Sequence, residues 1–197
     1  MDVFCKRLLL PIFLLIVLSP CSYAQELNTF DRQVKQWAIE CRDDVTKQFN
    51  LLLTSGKLSV PQLFDTFYIP IPGTDPQKFR TQYDNLSDGV VRPIIDRILD
   101  YDKRLVFVIV VDINGYLPTH NSRYSRPLTD NADNNSKWNR TKRMFNDRTG
   151  LAAARNLEPY LLQRYSRDTG EVMSDLSIPI IIQNRHWGAV RIGYKQK

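Results

Sequence analysis

A chain of 197 residues is long enough for one domain with a real core, and 43% hydrophobic against 24% charged residues excludes wholesale disorder. The formal charge of +6 is not bunched into a basic tail. Lys and Arg gather around 137–148 but are interrupted by Asn, Asp and Thr, a pattern that favours anionic small molecules over a nucleic-acid stripe.

Residues 1–24 have the form of a secretory signal peptide: Lys6 and Arg7, an apolar run from Leu8 to Leu18, and Ser22-Tyr23-Ala24 before Gln25. The apolar run is short for a membrane span, although an uncleaved anchor is the alternative. Leu18-Ser19-Pro20-Cys21 makes a poor lipoprotein signal, because Pro precedes the Cys. Cleavage would leave a periplasmic chain of about +5, with Cys41 as its one cysteine and therefore no internal disulfide.

Glu26 to Thr54 reads as one long amphipathic helix. Leu27, Phe30, Val34, Trp37, Cys41, Val45, Phe49 and Leu52 recur at steps of three and four, and Ser55-Gly56 ends the run. Core packing accounts for this stripe, and its length leaves room for a homodimer contact. Val60 to Phe67 reads as a short helix capped by Ser59. Tyr68 to Thr74 is broken by two prolines and a glycine. Thr74 and Asp75 are placed to cap a helix from Pro76, and Gly89 and Pro93 should split the stretch that follows into two helical segments.

From Arg104 the pattern changes to strands. Leu105 to Ile113 is continuously apolar, which suits a central strand covered on both faces. Asn114-Gly115 is a turn signal. Pro159 to Arg167, Val172 to Ile182 and His186 to Tyr194 follow, separated by turns at 167–171 and 183–185, and form an antiparallel meander. Pro179 argues for an edge or a bulge in its strand. Helices first and sheet second give an α+β fold, with 25–100 mainly helical and 104–197 mainly sheet in one domain.

The density of hydrogen-bonding side chains after Asn114 marks a recognition site, with Tyr116, Thr119, His120, Asn139, Arg140, Arg143, Asp147 and Arg148 as candidates. If 139–145 is helical, Arg140 and Arg143 share a side and Lys142 turns away. A guanidinium fork suits a carboxylate or phosphate. Trp138 and Trp187 fit core or pocket walls. No activated nucleophile or glycine-rich phosphate loop accompanies the histidines, so a non-enzyme is expected. The alternatives are an exported enzyme using His120 with Asp112 or Asp147, a haem- or metal-binding redox sensor using the two histidines and Asp147, and a docking protein that uses the long helix. Covalent c-type haem is excluded, because no Cys-x-x-Cys-His is present.

Four linked motifs carry a family resemblance. They are Asp112-x-Asn114-Gly115-Tyr116-x-Pro118-Thr119-His120-Asn121, Asn139-Arg140-Thr141-Lys142-Arg143-x-Phe145-x-Asp147, Arg148-Thr149-Gly150-Leu151-x-Ala153-Ala154-Arg155-Asn156, and the tail from Asp168 to Tyr194 with Arg185-His186-Trp187-Gly188-x-x-Arg191. Together they resemble the PAS-like Cache sensor domain of bacterial methyl-accepting chemotaxis proteins, strongly over 105–194. The resemblance implies a central antiparallel sheet of five or six strands, a long N-terminal helix on one face and a pocket on the other, wrapped by 114–150. It also implies a dimeric habit, a small-molecule ligand and a role in chemotactic signalling; no cofactor is expected. Tyr194 lies three residues from the end of the sequence, so no second span or signalling coiled coil follows, and a membrane receptor partner would have to relay the signal.

Overall fold

Asn28 opens the longest element by a reciprocal capping box with Asp31, and helix α1 (Thr29–Thr54) follows for 26 residues. The computed structural model describes residues 26–166 and 172–196. The signal-peptide expectation and the 167–171 turn therefore lie outside the described residues.

The main sheet has four antiparallel strands: β3 (Leu105–Asp112), β6 (Leu161–Ser166), β7 (Val172–Ile182) and β8 (Arg185–Lys195), in the order β3-β8-β7-β6. The expected meander is present as β6-β7-β8, closed by Gln183 and Asn184 at φ 49° and 59°. The expected five or six strands are not. Four further strands form two separate pairs, β1 (Ile69–Ile71) with β2 (Lys78–Arg80) and β4 (Tyr116–Leu117) with β5 (Arg143–Met144). Two- and three-residue strands carry no readable alternation, which is why counting runs in the sequence misjudges the sheet.

The apolar stripe of α1 is consumed within the chain. Val34, Ala38, Cys41, Val45 and Phe49 are fully buried in the cluster that joins α1 to the sheet. Burial pushes the Cys41 thiol up, so it stays protonated and packs as a small apolar group. Helix α3 (Asp84–Leu99) packs beside α1 and behind β3 through Val91, Ile95 and Ile98.

Three helical expectations need correction. Val60–Phe67 shortens to α2 (Val60–Leu63). The helix from Pro76 is absent, because the Thr74 hydroxyl donates to Ile71 O and accepts from Lys78 N, closing a turn into β2. The stretch expected to split at Gly89 and Pro93 is one helix. Gly89 is the residue four before Pro93, so the missing proline N–H and the weak helix former fall on the same turn and make one defect.

Strand β3 is terminal in the sheet, not central. It is nonetheless almost wholly apolar, because both faces are covered and its open edge is capped by side chains. The Asn121 carbonyl accepts from Val108 N at 2.9 Å, and Tyr124 OH donates to Val106 O at 3.1 Å. Pro179 behaves as expected. It lies beyond the last β6 pairing at Ser177, and a register shift follows at Ile180/Ile181.

That shift sets which side chains face which layer. Ile182 pairs with Arg185 and Ile181 with His186, but Ile180 pairs with Gly188, so Trp187 is skipped. Beyond the bulge Leu176 lies opposite Ile192 and Ser177 opposite Arg191. Leu176, Ile178, Val190 and Ile192 face α1, while Asp175 and Arg191 turn to the other side.

Candidate ligand cavity

The second face of the sheet is covered by the chain between β3 and β6. Asp112 fixes the entry: its Oδ1 accepts from Asn114 N and Tyr116 N, each at 2.9 Å, and its Oδ2 from Tyr68 OH at 2.6 Å and Tyr83 OH at 3.1 Å. Burial raises its pKa, against the pull of those hydrogen bonds. Gly115 sits at φ +80°, and any Cβ there would lie 2.4 Å from Phe145 O. This close approach lets Phe145 N donate to Gly115 O and seats β5 beside β4.

Between this cover and the sheet lies a cavity of about 500 Å³, within the range of small-molecule pockets. Its floor is Phe107 and Ile109 from β3, Tyr165 from β6, Met173 from β7 and Arg191 from β8. Gly193 makes room for the Phe107 ring, which lies 2.2 Å from where a Cβ would be. The roof includes His120, Tyr124, Trp138, Arg140 and Phe145, with Asp147 and Thr149 at one side. Asp147 caps α5 (Arg148–Ala154) by accepting from Gly150 N at 3.0 Å.

His120 is 3% exposed, and its Nδ1 accepts from Asn121 N at 2.7 Å. The ring proton therefore sits on Nε2, which has no hydrogen-bond partner among the described residues. Burial, then Arg140 and Arg143, push the pKa well below the usual histidine value, so the ring stays neutral. Arg191 is 6% exposed, and its Nε and Nη2 donate to Asp175 at 3.5 and 2.5 Å. Burial opposes its charge, but Asp175 outweighs burial and the pKa is raised. Nη1 makes no hydrogen bond among the described residues.

No protein-family model matches this chain. No curated protein matches it either. Among solved structures, an extracellular ligand binding receptor from Desulfohalobium retbaense DSM5692 is similar over 86% of this chain, at 13% identity and a TM-score of 0.38. The chain spans 26% of that receptor's chain. The functional reading therefore rests on the cavity.

Of the eight residues named from the sequence, His120, Arg140 and Asp147 line the cavity. Tyr116 lies outside it, donating to Phe79 O and Asp84 Oδ1 at 2.9 Å each. Thr119 meets the Arg92 guanidinium, and Asn139 holds Arg126 O. Arg148 is exposed at the start of α5. Arg143 donates to Ser136 O and stands behind the lining. The 139–145 stretch is not helical: α4 (Ala132–Trp138) ends before it, Lys142 adopts φ 59°, and β5 follows. Arg140 and Arg143 still share a side, with guanidinium carbons 5.2 and 5.4 Å from the Phe145 ring centre.

Asp112, weighed as a partner for His120, is engaged by Tyr68 and Tyr83 instead. Among the described residues, no group of three or more His, Cys, Asp or Glu is placed to hold a metal ion. The sequence reading did not name Tyr124, Tyr165, Met173, Asp175 or Arg191 as site residues, although Arg191 stands in the fourth resemblance motif. A signal for the last was present: an arginine inside an apolar strand is buried only if paired.

Proposed function

We propose that this chain is an extracytoplasmic sensor domain of the Cache type that binds a small molecule bearing an anionic group in the cavity over its sheet. One observation carries the reading: a cavity of about 500 Å³ lined by two nearly buried residues, His120 and Arg191, whose Nε2 and Nη1 have no protein partner among the described residues, beside Arg140. Both donors are open to the cavity, where a ligand group or water can accept from them. The periplasmic location, the relay through a membrane receptor and the chemotactic output belong to the same proposal.

A homodimer through α1 also belongs to it, with a constraint. The stripe that suggested a dimer is buried, so a dimer would use the outer face, where Asp43, Lys47, Asn50 and Leu51 are exposed. Sedimentation at high micromolar concentration reads this directly, and a monomer there removes the dimer from the proposal.

Binding is tested by the melting temperature of the purified protein across panels of organic acids, amino acids, amines and purines. A ligand at a hundred times its Kd stabilises the folded state by about 2.7 kcal/mol. Arg140→Ala should remove roughly 2–5 kcal/mol of binding energy if Arg140 meets the charge, and Arg143→Ala far less. A screen in which no compound shifts the melting temperature sinks the reading.

A further inference from the structure

The cavity is rich in aromatic rings. Phe107, His120, Tyr124, Trp138, Phe145 and Tyr165 all line it. Tyr124 and Trp138 stack with centroids 6.1 Å apart and 15° between planes, and His120 lies 4.7 Å from Tyr124 at 56°. The Arg126 guanidinium, 4.2 Å from the Trp138 ring centre, covers Trp138 further. These contacts hold the rings of the lining in fixed orientations. Edge-to-face and offset contacts of this kind favour another flat ring over a saturated one.

The charge of the cavity is equally specific. Among the described residues, Lys137, Arg140, Arg191 and Asp147 line it, and Asp175 stands behind Arg191. Arg191 is locked by Asp175 on one edge and offers Nη1 from the floor, so its donor geometry is set before a ligand arrives. His120, with Nδ1 already occupied, offers Nε2–H to the same cavity.

We propose that the cavity takes a planar aromatic carboxylate, with its ring among Phe107, Tyr124 and Trp138 and its carboxylate on Arg191. This rests on the reading of the cavity as a binding site and goes further only in naming the ligand class. A neutral ring would leave Arg191 Nη1 unmatched. An aliphatic acid would leave the aromatic walls unused.

Titration calorimetry on the full chain tests it with five probes: benzoate, 2-naphthoate, cyclohexanecarboxylate, benzamide and inorganic phosphate. At least one aromatic acid should bind ten or more times tighter than cyclohexanecarboxylate and benzamide, and phosphate should give no heat. Trp138→Leu should erase the preference for the aromatic ring. Asp175→Asn with Arg191→Gln, which keeps a neutral hydrogen-bonded pair, should weaken the aromatic acid at least tenfold. If that double variant does not fold, as read by near-ultraviolet circular dichroism, Arg191→Lys replaces it with the same expectation. Equal binding of the saturated acid or of benzamide overturns the ligand class, as does parental affinity in the Arg191 variants. If none of the five binds but an amine or a purine does, and Trp138→Leu abolishes that binding, this proposal falls while the binding-site reading stands. If nothing binds at all, both fall.

Discussion

The two faces of the main sheet are built from the same four strands and end in opposite conditions. On the helical face Val108, Val110, Leu176, Ile178, Val190 and Ile192 are fully buried against α1 and α3. Its charged intruder, Asp31, is saturated: it accepts from Tyr194 OH at 2.5 Å, Arg164 Nη2 at 2.6 Å and Gln196 Nε2 at 2.9 Å. Burial works against that carboxylate, and these bonds still hold its pKa below the ordinary value. On the other face the rings and guanidinium of the floor meet a cavity, and donors are left over. A surface built for stability spends every hydrogen bond internally, whereas a surface built for a ligand holds some back.

The sharpest way to break this contrast is at the Arg191–Asp175 pair. Removing one partner leaves the other charge buried and uncompensated, so Arg191→Met should destabilise by about 3–5 kcal/mol. Adding Asp175→Leu should recover most of that loss, because a buried ion pair is seldom more stabilising than packed apolar side chains. Urea unfolding reads both. If the double variant is as unstable as the single one, the pair is structural and the contrast between the faces weakens.

Phe49→Ala should cost about 3–5 kcal/mol, since Phe49 is fully buried, packs on Trp187 at 5.2 Å and would leave a void. Phe145→Ala should cost clearly less, because its ring borders a cavity that already exists. Equal losses in urea unfolding would mean that the two faces do not differ in packing.

The helical face was largely legible and the cavity face was not, for a physical reason. The α1 stripe, the ends of β7 and the turns at Asn114-Gly115 and Gln183-Asn184 all follow from local periodicity or turn chemistry. The face on which Arg191 lands depends on the Trp187 bulge. Carrying the hairpin register on from Ile182–Arg185 would set Arg191 opposite Leu176, on the helical face. One skipped residue moves it to the side of Asp175, and no pattern in the strand announces the skip. The candidates chosen by density of polar side chains fared unevenly for a related reason. Tyr116 and Thr119 spend their hydroxyls on Asp84 and Arg92, so polar density marked a network that holds the loop as well as a cavity beneath it.

Asn121 separates edge protection from ligand binding. Its side chain accepts from Val108 N and donates to Ile95 O at 3.0 Å, covering the open edge of β3. Asn121→Ala should cost about 1–3 kcal/mol by leaving buried backbone groups unpaired. Hydrogen exchange should show the Val108 amide losing protection first. Retained protection would mean that another group covers the edge.

The smallest effect is a pH dependence, and its sign is fixed by His120. Burial, with Arg140 and Arg143 nearby, keeps the folded imidazole neutral far below its ordinary pKa. In the unfolded chain the same ring titrates near about 6.5. Above that pH neither state holds the proton and stability is at its plateau. Below it the unfolded chain binds a proton that the folded chain refuses, so stability falls by about 1.4 kcal/mol per pH unit. His186 contributes in the same direction, since burial lowers its pKa although its contact with Gly188 O opposes the shift. Urea unfolding between pH 5 and 7 therefore needs both His120→Gln and His186→Gln. Glutamine at 120 can keep a donor toward the cavity but cannot titrate, so that variant should flatten the slope more than the change at 186. An unchanged slope in His120→Gln, beside a flattened one in His186→Gln, would mean that residue 120 takes up its proton in the folded state. The donor assigned to the cavity roof would then be a cation and not a neutral ring.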